Sequence, residues 1–83
     1  MLRRDQLIWR EVDGQVVGID LRSSRYFSLN PTATFLWKLL GDGAAPDDLT
    51  ERLSAEFALD RGLAAEDVSA FLASLEAGGL LES

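Results

Sequence analysis

The 83-residue sequence has no cysteine and no histidine. The first absence excludes a disulfide framework, a thiolate nucleophile and cysteine metal ligands. The second removes the commonest metal ligand and the usual general base near neutral pH. What remains for chemistry is carboxylates, serines and scattered arginines. A carboxylate-only site needs a concave pocket that raises one pKa, and a chain this short has little core in which to carve one. No apolar run approaches the ~20 residues that a bilayer crossing needs. The opening stretch MLRRDQLIWRE carries charges where a signal peptide has its apolar region, so a cytoplasmic chain with no membrane association is expected. These absences point to a binding domain and away from an enzyme.

What is present suits one folded domain spanning residues 1–83. Apolar residues make up 47% of the chain and are well mixed with charged ones, the composition of a globule and not of a disordered segment. The net charge of −6 is unevenly placed. Residues 1–40 hold six basic and four acidic side chains; residues 41–83 hold two basic and ten acidic ones.

Three strands are expected first. Residues 6–12 alternate, with Ile8, Arg10 and Val12 on one face and Leu7 and Trp9 on the other. Asp13-Gly14 follows, a strong hairpin signal because both central positions of a type I′ turn need positive φ. Residues 15–21 return, and the apolar set Val17, Ile19 and Leu21 is expected to face the core. Residues 25–29 form a third strand with Phe27 and Leu29 on one face, Tyr26 and Ser28 on the other. Short connections between successive strands predict a meander, which leaves the third strand as an open edge.

Three helices are expected next. Asn30 is a good N-cap and Pro31 suits the first helical position. Ala33, Leu36, Trp37 and Leu40 make an apolar stripe, and Gly41 is expected to take the left-handed C-terminal cap. Pro46-Asp47-Asp48 opens a second helix, its acids at the positive end of the dipole, with Leu49, Leu53 and Phe57 recurring every four residues. After a loop at residues 59–62, a third helix spans about 64–77. Glu66 and Asp67 fall in its first turn, and Val68, Phe71, Leu72 and Leu75 form its inner face. Gly78-Gly79 ends it, and Leu80-Leu81 is expected to tuck back onto the core. The predicted fold is α+β, a three-stranded antiparallel sheet followed by three helices, with the last two paired as in a winged helix-turn-helix.

A winged helix suggests DNA binding, but the charge opposes it. Phosphate contacts need lysine and arginine, and the expected third helix offers Glu66, Asp67 and Glu76 with no basic residue, so nucleic acid is not expected as a partner. The pairs Asp47/Asp48 and Glu66/Asp67 are read as helix-start acids, because adjacent helical residues do not face each other; no metal site is expected from them. Tyr26 and Trp9 can either cover the small core or face a partner. Arg25 can protect the edge strand or meet an acidic residue of a ligand. The strongest constellation is the open third strand beside the apolar third helix. An extended peptide can add to such an edge through backbone hydrogen bonds while alternate side chains enter pockets. Val68, Phe71, Leu72 and Leu75 are candidates for the pocket wall, although a helical apolar stripe more often belongs to the core.

The residues also carry a family resemblance. Ile19-Asp20-Leu21, then Tyr26-Phe27-Ser28-Leu29-Asn30-Pro31-Thr32, then Leu36-Trp37-Lys38-Leu39-Leu40 resembles the PqqD-like proteins. The likeness continues through Asp42-Gly43-Ala44, Asp67-Val68, Phe71-Leu72, Leu75 and Gly79-Leu80-Leu81, so it covers nearly the whole chain. Each piece is short; their order and spacing give the specificity. The resemblance implies a non-catalytic, cofactor-free precursor-peptide recognition element, binding the leader of a ribosomally made, modified peptide. The leader is implied to add as a strand to the third strand and to pack on the third helix. By position, the implied contacts are Arg25, Tyr26, Phe27, Ser28 and Leu29 on the strand, and Asp67, Val68, Phe71, Leu72 and Leu75 on the helix. The chain is most similar to the stand-alone leader-binding protein of lasso-peptide pathways. That implies delivery to a transglutaminase-like cysteine protease that removes the leader, with the lasso cyclase as a further candidate partner. The alternative is a protein presenting its precursor to a radical SAM enzyme, as in pyrroloquinoline quinone synthesis.

Overall fold

Asp13 and Gly14 both take positive φ, 52° and 79°, as a type I′ turn demands. They join β1 (Leu7–Val12) to β2 (Gln15–Asp20) in the computed structural model, which describes residues 2–3 and 5–81. A second turn leads to β3 (Arg25–Ser28). The sheet is antiparallel in the order β1-β2-β3, so β3 has one unpaired edge. Leu29 lies just past the strand, yet its N–H still donates to the Val16 carbonyl at 2.8 Å.

The face assignment of β2 is the reverse of the sequence expectation. Val16 is fully buried, whereas Val17 is 36% exposed and Leu21, in the turn beyond the strand, is 48% exposed. Alternation defines two faces but not which one is inward. Residues outside β2 decide. Gly18 stands between Trp9 and Phe27 in register, and both of those rings meet the buried Trp37, at centroid distances of 5.7 and 5.4 Å. The Val16 N–H donates to Thr34 Oγ1 on the first helix at 2.8 Å. Asp20, which polarity alone would turn outward, is buried because Arg3 pairs with it.

The helices are α1 (Pro31–Gly41), α2 (Pro46–Phe57) and α3 (Arg61–Ala77). Asn30 caps α1 by accepting from the Ala33 N–H at 2.8 Å. Gly41 remains helical; Asp42 is the C-cap, and the left-handed glycine is Gly43, with φ 94°. The helix runs one residue further than expected because Gly43 and Ala44 donate back to the Leu40 and Leu39 carbonyls. The start of α3 also moves. Asp60 accepts from the Gly62 N–H and caps the helix there, so Glu66 and Asp67 lie beyond its first turn and Arg61 gives it one basic residue.

The core joins Val16, Leu36, Trp37, Leu40, Leu49, Leu53, Val68, Phe71 and Leu75. Phe57 lies at its margin, 39% exposed with its ring edge-on to Phe35. Among the helices α3 packs on α2 and α2 on α1, while α1 also packs on β2. The chain ends sew the layers together: Leu2 bridges Leu81, and the Arg3 N–H donates to the Leu80 carbonyl at 2.8 Å. No helix among the described residues is long and apolar enough to cross a membrane.

Candidate functional site

The unpaired edge of β3 runs alongside α3, and the space between them is an open cleft. Its upper half, about 420 Å³, is floored by Leu36 and lined by Ser28, Leu29 and Asn30 opposite Asp67, Ala70, Phe71, Ser74 and Leu75. Its lower half, also about 420 Å³, lies between Arg25, Tyr26 and Phe27 and the segment Ala77 to Leu80, with Asp20 and Ser23 beneath. The wall from α3 owes its shape to small residues at helical spacing. Ala70, Ser74 and Ala77 leave room for a backbone to approach, while Phe71 and Leu75 supply apolar depth from the core side.

The expected site residues divide into two groups. Arg25, Tyr26, Phe27, Ser28, Leu29, Asp67, Phe71 and Leu75 line the cleft. Val68 is 5% exposed and belongs to the core; Leu72 packs against that core from a partly buried position. Neither lines the cleft. Tyr26 reaches the cleft rim while its side chain projects to the outer face, 84% exposed. Trp9 instead turns inward to Trp37. Ala70, Ser74, Ala77 and Gly78 were not anticipated, because a search for apolar stripes passes over small residues. Their i, i+4, i+7, i+8 spacing is the signal that would have found them.

Charge is polarised along the cleft. Arg25 marks the lower end and Asp67 the upper, and neither has an ion-pair partner among the described residues. At the floor, the Arg3 guanidinium beside Asp20, with further hydrogen bonds from Arg22 and Ser23, holds the Asp20 carboxyl below the usual carboxylate range despite burial. The described residues contain no cluster of three or more acidic side chains suited to a metal ion.

The outer face of the sheet is a second feature. Ile8, Ile19 and Tyr26 stand in one cross-strand row and Arg10, Val17 and Ser28 in the next. Ile8 is 59% exposed. Together these residues line a shallow, mostly apolar basin, a contiguous patch of the kind that marks interaction surfaces.

Residues 15–81 match the family model described as coenzyme PQQ synthesis protein D (PqqD). No curated protein matches. Among solved structures, the chain is similar to TbiB1 in complex with the TbiA(beta) leader peptide, with 30% identity and a TM-score of 0.90 over 100% of this chain and 96% of that one. It is likewise similar to a lasso peptide synthetase B1 complexed with the leader peptide, with 31% identity and a TM-score of 0.84 over 96% and 94% of the two chains.

Proposed function

The chain belongs to the PqqD family, and from that premise we propose that it is a non-catalytic leader-binding module of lasso-peptide biosynthesis. One observation carries the reading. The β3 edge is unpaired and faces α3 across an open cleft, in a fold shared with two proteins solved with leader peptides. The leader adds as a fourth strand beside Arg25–Ser28. Its side chains alternate between the cleft, where Phe27, Phe71 and Leu75 receive them, and the outer face beside Tyr26.

Binding of this kind serves chemistry done elsewhere. Holding the leader raises the effective concentration of the attached core peptide at a partner enzyme. The partner proposed is the leader peptidase, a transglutaminase-like cysteine protease, working in the cytoplasm. The outer sheet face is suited to dock it, since it stays open while the edge is occupied. The likeness to lasso proteins favours this partner over a radical SAM enzyme.

Calorimetric titration with the TbiA(beta) leader peptide, and with the leader of any precursor encoded beside this chain's gene, tests the proposal. Saturable one-to-one binding at micromolar or lower concentration is expected. Absence of saturation below the millimolar range for both peptides overturns it.

A further inference from the structure

Arg3 is 4% exposed, and its side chain joins two parts of the molecule far apart in sequence. Its Nη2 donates to the Asp20 carboxylate at the end of β2. Its Nη1 donates to the Gly79 carbonyl, just past the end of α3, at 2.9 Å. Asp20 belongs to the sheet and Gly79 to the segment after α3, and both line the lower half of the cleft. The guanidinium therefore spans the gap between sheet and helix layer at the point where the cleft is lined by both.

Stability alone does not explain this arrangement. A buried ion pair is weak evidence for stabilisation, because desolvation offsets the attraction and an apolar replacement is often neutral or better. Among the described residues Arg3 Nε has no hydrogen-bond partner, which adds to the cost of burying the group. What arginine supplies, and an apolar residue of similar volume does not, is a rigid planar fork that fixes two acceptors at a set spacing. One acceptor is on the sheet and the other is a carbonyl at the negative end of the α3 dipole.

We infer that Arg3 is a positioning residue of the cleft: a buried strut that fixes the spacing between β2–β3 and the C-terminal end of α3, so that the lower half is preformed before a ligand arrives. The consequence for binding rests on the leader-binding reading above. A preformed groove avoids the ordering cost of closing two mobile walls on a peptide. Loss of the strut leaves the upper half, built on Leu36, Phe71 and Leu75, as it was, and loosens only the lower half.

The cysteine-free chain makes the spacing measurable. Spin labels at Ser24→Cys and Ala77→Cys report the distance between the two walls. In the otherwise native chain a single narrow distribution is expected; with Arg3→Met it broadens or shifts, and Arg3→Lys, which keeps the charge but not the fork, falls between. In parallel, binding of the TbiA(beta) leader peptide and of versions shortened from either end is measured. Arg3→Met is expected to weaken the full peptide about tenfold, a change of about 1.4 kcal/mol. It should leave unchanged the binding of the one shortened version that no longer reaches the lower half.

A folded Arg3→Met chain with the native distance distribution overturns the strut. So does equal weakening of both shortened peptides, the result of a merely structural role. If Arg3→Met does not fold, Asp20→Asn with the same labels decides in its place. If the native chain binds no leader peptide, the leader-binding reading falls, and the label distances still judge the strut by themselves.

Discussion

Phe27 covers Gly18 so closely that a Cβ at position 18 would lie 2.5 Å from Phe27 Cζ and 2.8 Å from the Ile8 carbonyl oxygen. The glycine thus lets the Phe27 ring cross the middle strand and reach Trp37, which ties the open edge of the sheet to the buried core. A peptide docking on β3 meets a strand already held in place from behind.

Gly18→Ala should therefore destabilise the fold. One of the two close atoms is backbone and cannot rotate away, so the overpacking cost is expected at about 1–3 kcal/mol. Thermal unfolding followed by circular dichroism should show the loss. Leader affinity measured well below the melting temperature should fall too, because Phe27 shifts with its support.

Core and cleft contributions of α3 can be separated by a pair of substitutions. Phe71→Ala removes a buried ring and should cost about 3–5 kcal/mol, so weakened binding there is not evidence of contact. Ala70→Trp adds bulk at an exposed cleft position and should leave the melting temperature nearly unchanged while blocking the leader. A folded Ala70→Trp chain that binds as tightly as the native one would remove the upper half from the site.

The polarity of the cleft predicts a charge preference. Arg25→Glu and Asp67→Lys should each change leader affinity by only about 0.2–1 kcal/mol, as exposed ion pairs do. The effect should shrink as salt is raised. A complementary reversal in the leader should restore affinity at one end of the cleft and not at the other; calorimetry at low and high salt checks both points.

On the outer face, Ile8→Lys replaces an exposed side chain in the apolar basin. Stability should stay within about 0.5 kcal/mol of native, and leader affinity should be unchanged. Leader removal by the proposed partner peptidase, followed by mass spectrometry, should drop sharply. Unchanged processing would exclude this face as the enzyme's docking surface.

Acid dependence follows from Asp20. Its folded pKa lies below that of an ordinary aspartate, chiefly through the Arg3 hydrogen bond. A depressed carboxylate contributes stability above its unfolded pKa and loses it as pH falls through the folded one. Denaturant unfolding should therefore show a destabilising limb that develops below about pH 4. In Asp20→Asn that part of the limb should be missing.

Much of this architecture was legible in local chemistry. Asp13-Gly14, Asn30-Pro31 and Pro46 state where chains turn and helices begin, because each supplies a backbone geometry or cap that few other residues can. The inward face of β2 was not legible: Gly18 and Asp20 look like outward residues until Phe27 and Arg3 arrive from elsewhere in the chain. The start of α3 was hidden for a related reason. Arg61-Gly62 reads as a loop, but Asp60 caps the helix across it. In the cleft, the open edge of the third strand followed from strand order, and its residues from the family resemblance. The helix residues did not, since Val68 and Phe71 share one apolar periodicity although only Phe71 lines the groove.

The shortness of β3 sets the terms on which ligands are told apart. A four-residue edge offers the backbone groups of alternate residues only, about four hydrogen bonds, each worth roughly 0.5–1.5 kcal/mol net. That contribution is the same for any extended peptide. Discrimination must then come from the few side chains that line the groove. Two such modules in one cell could stay orthogonal through changes at Arg25, Asp67 or Ala70, and a module could acquire a new client without altering its fold.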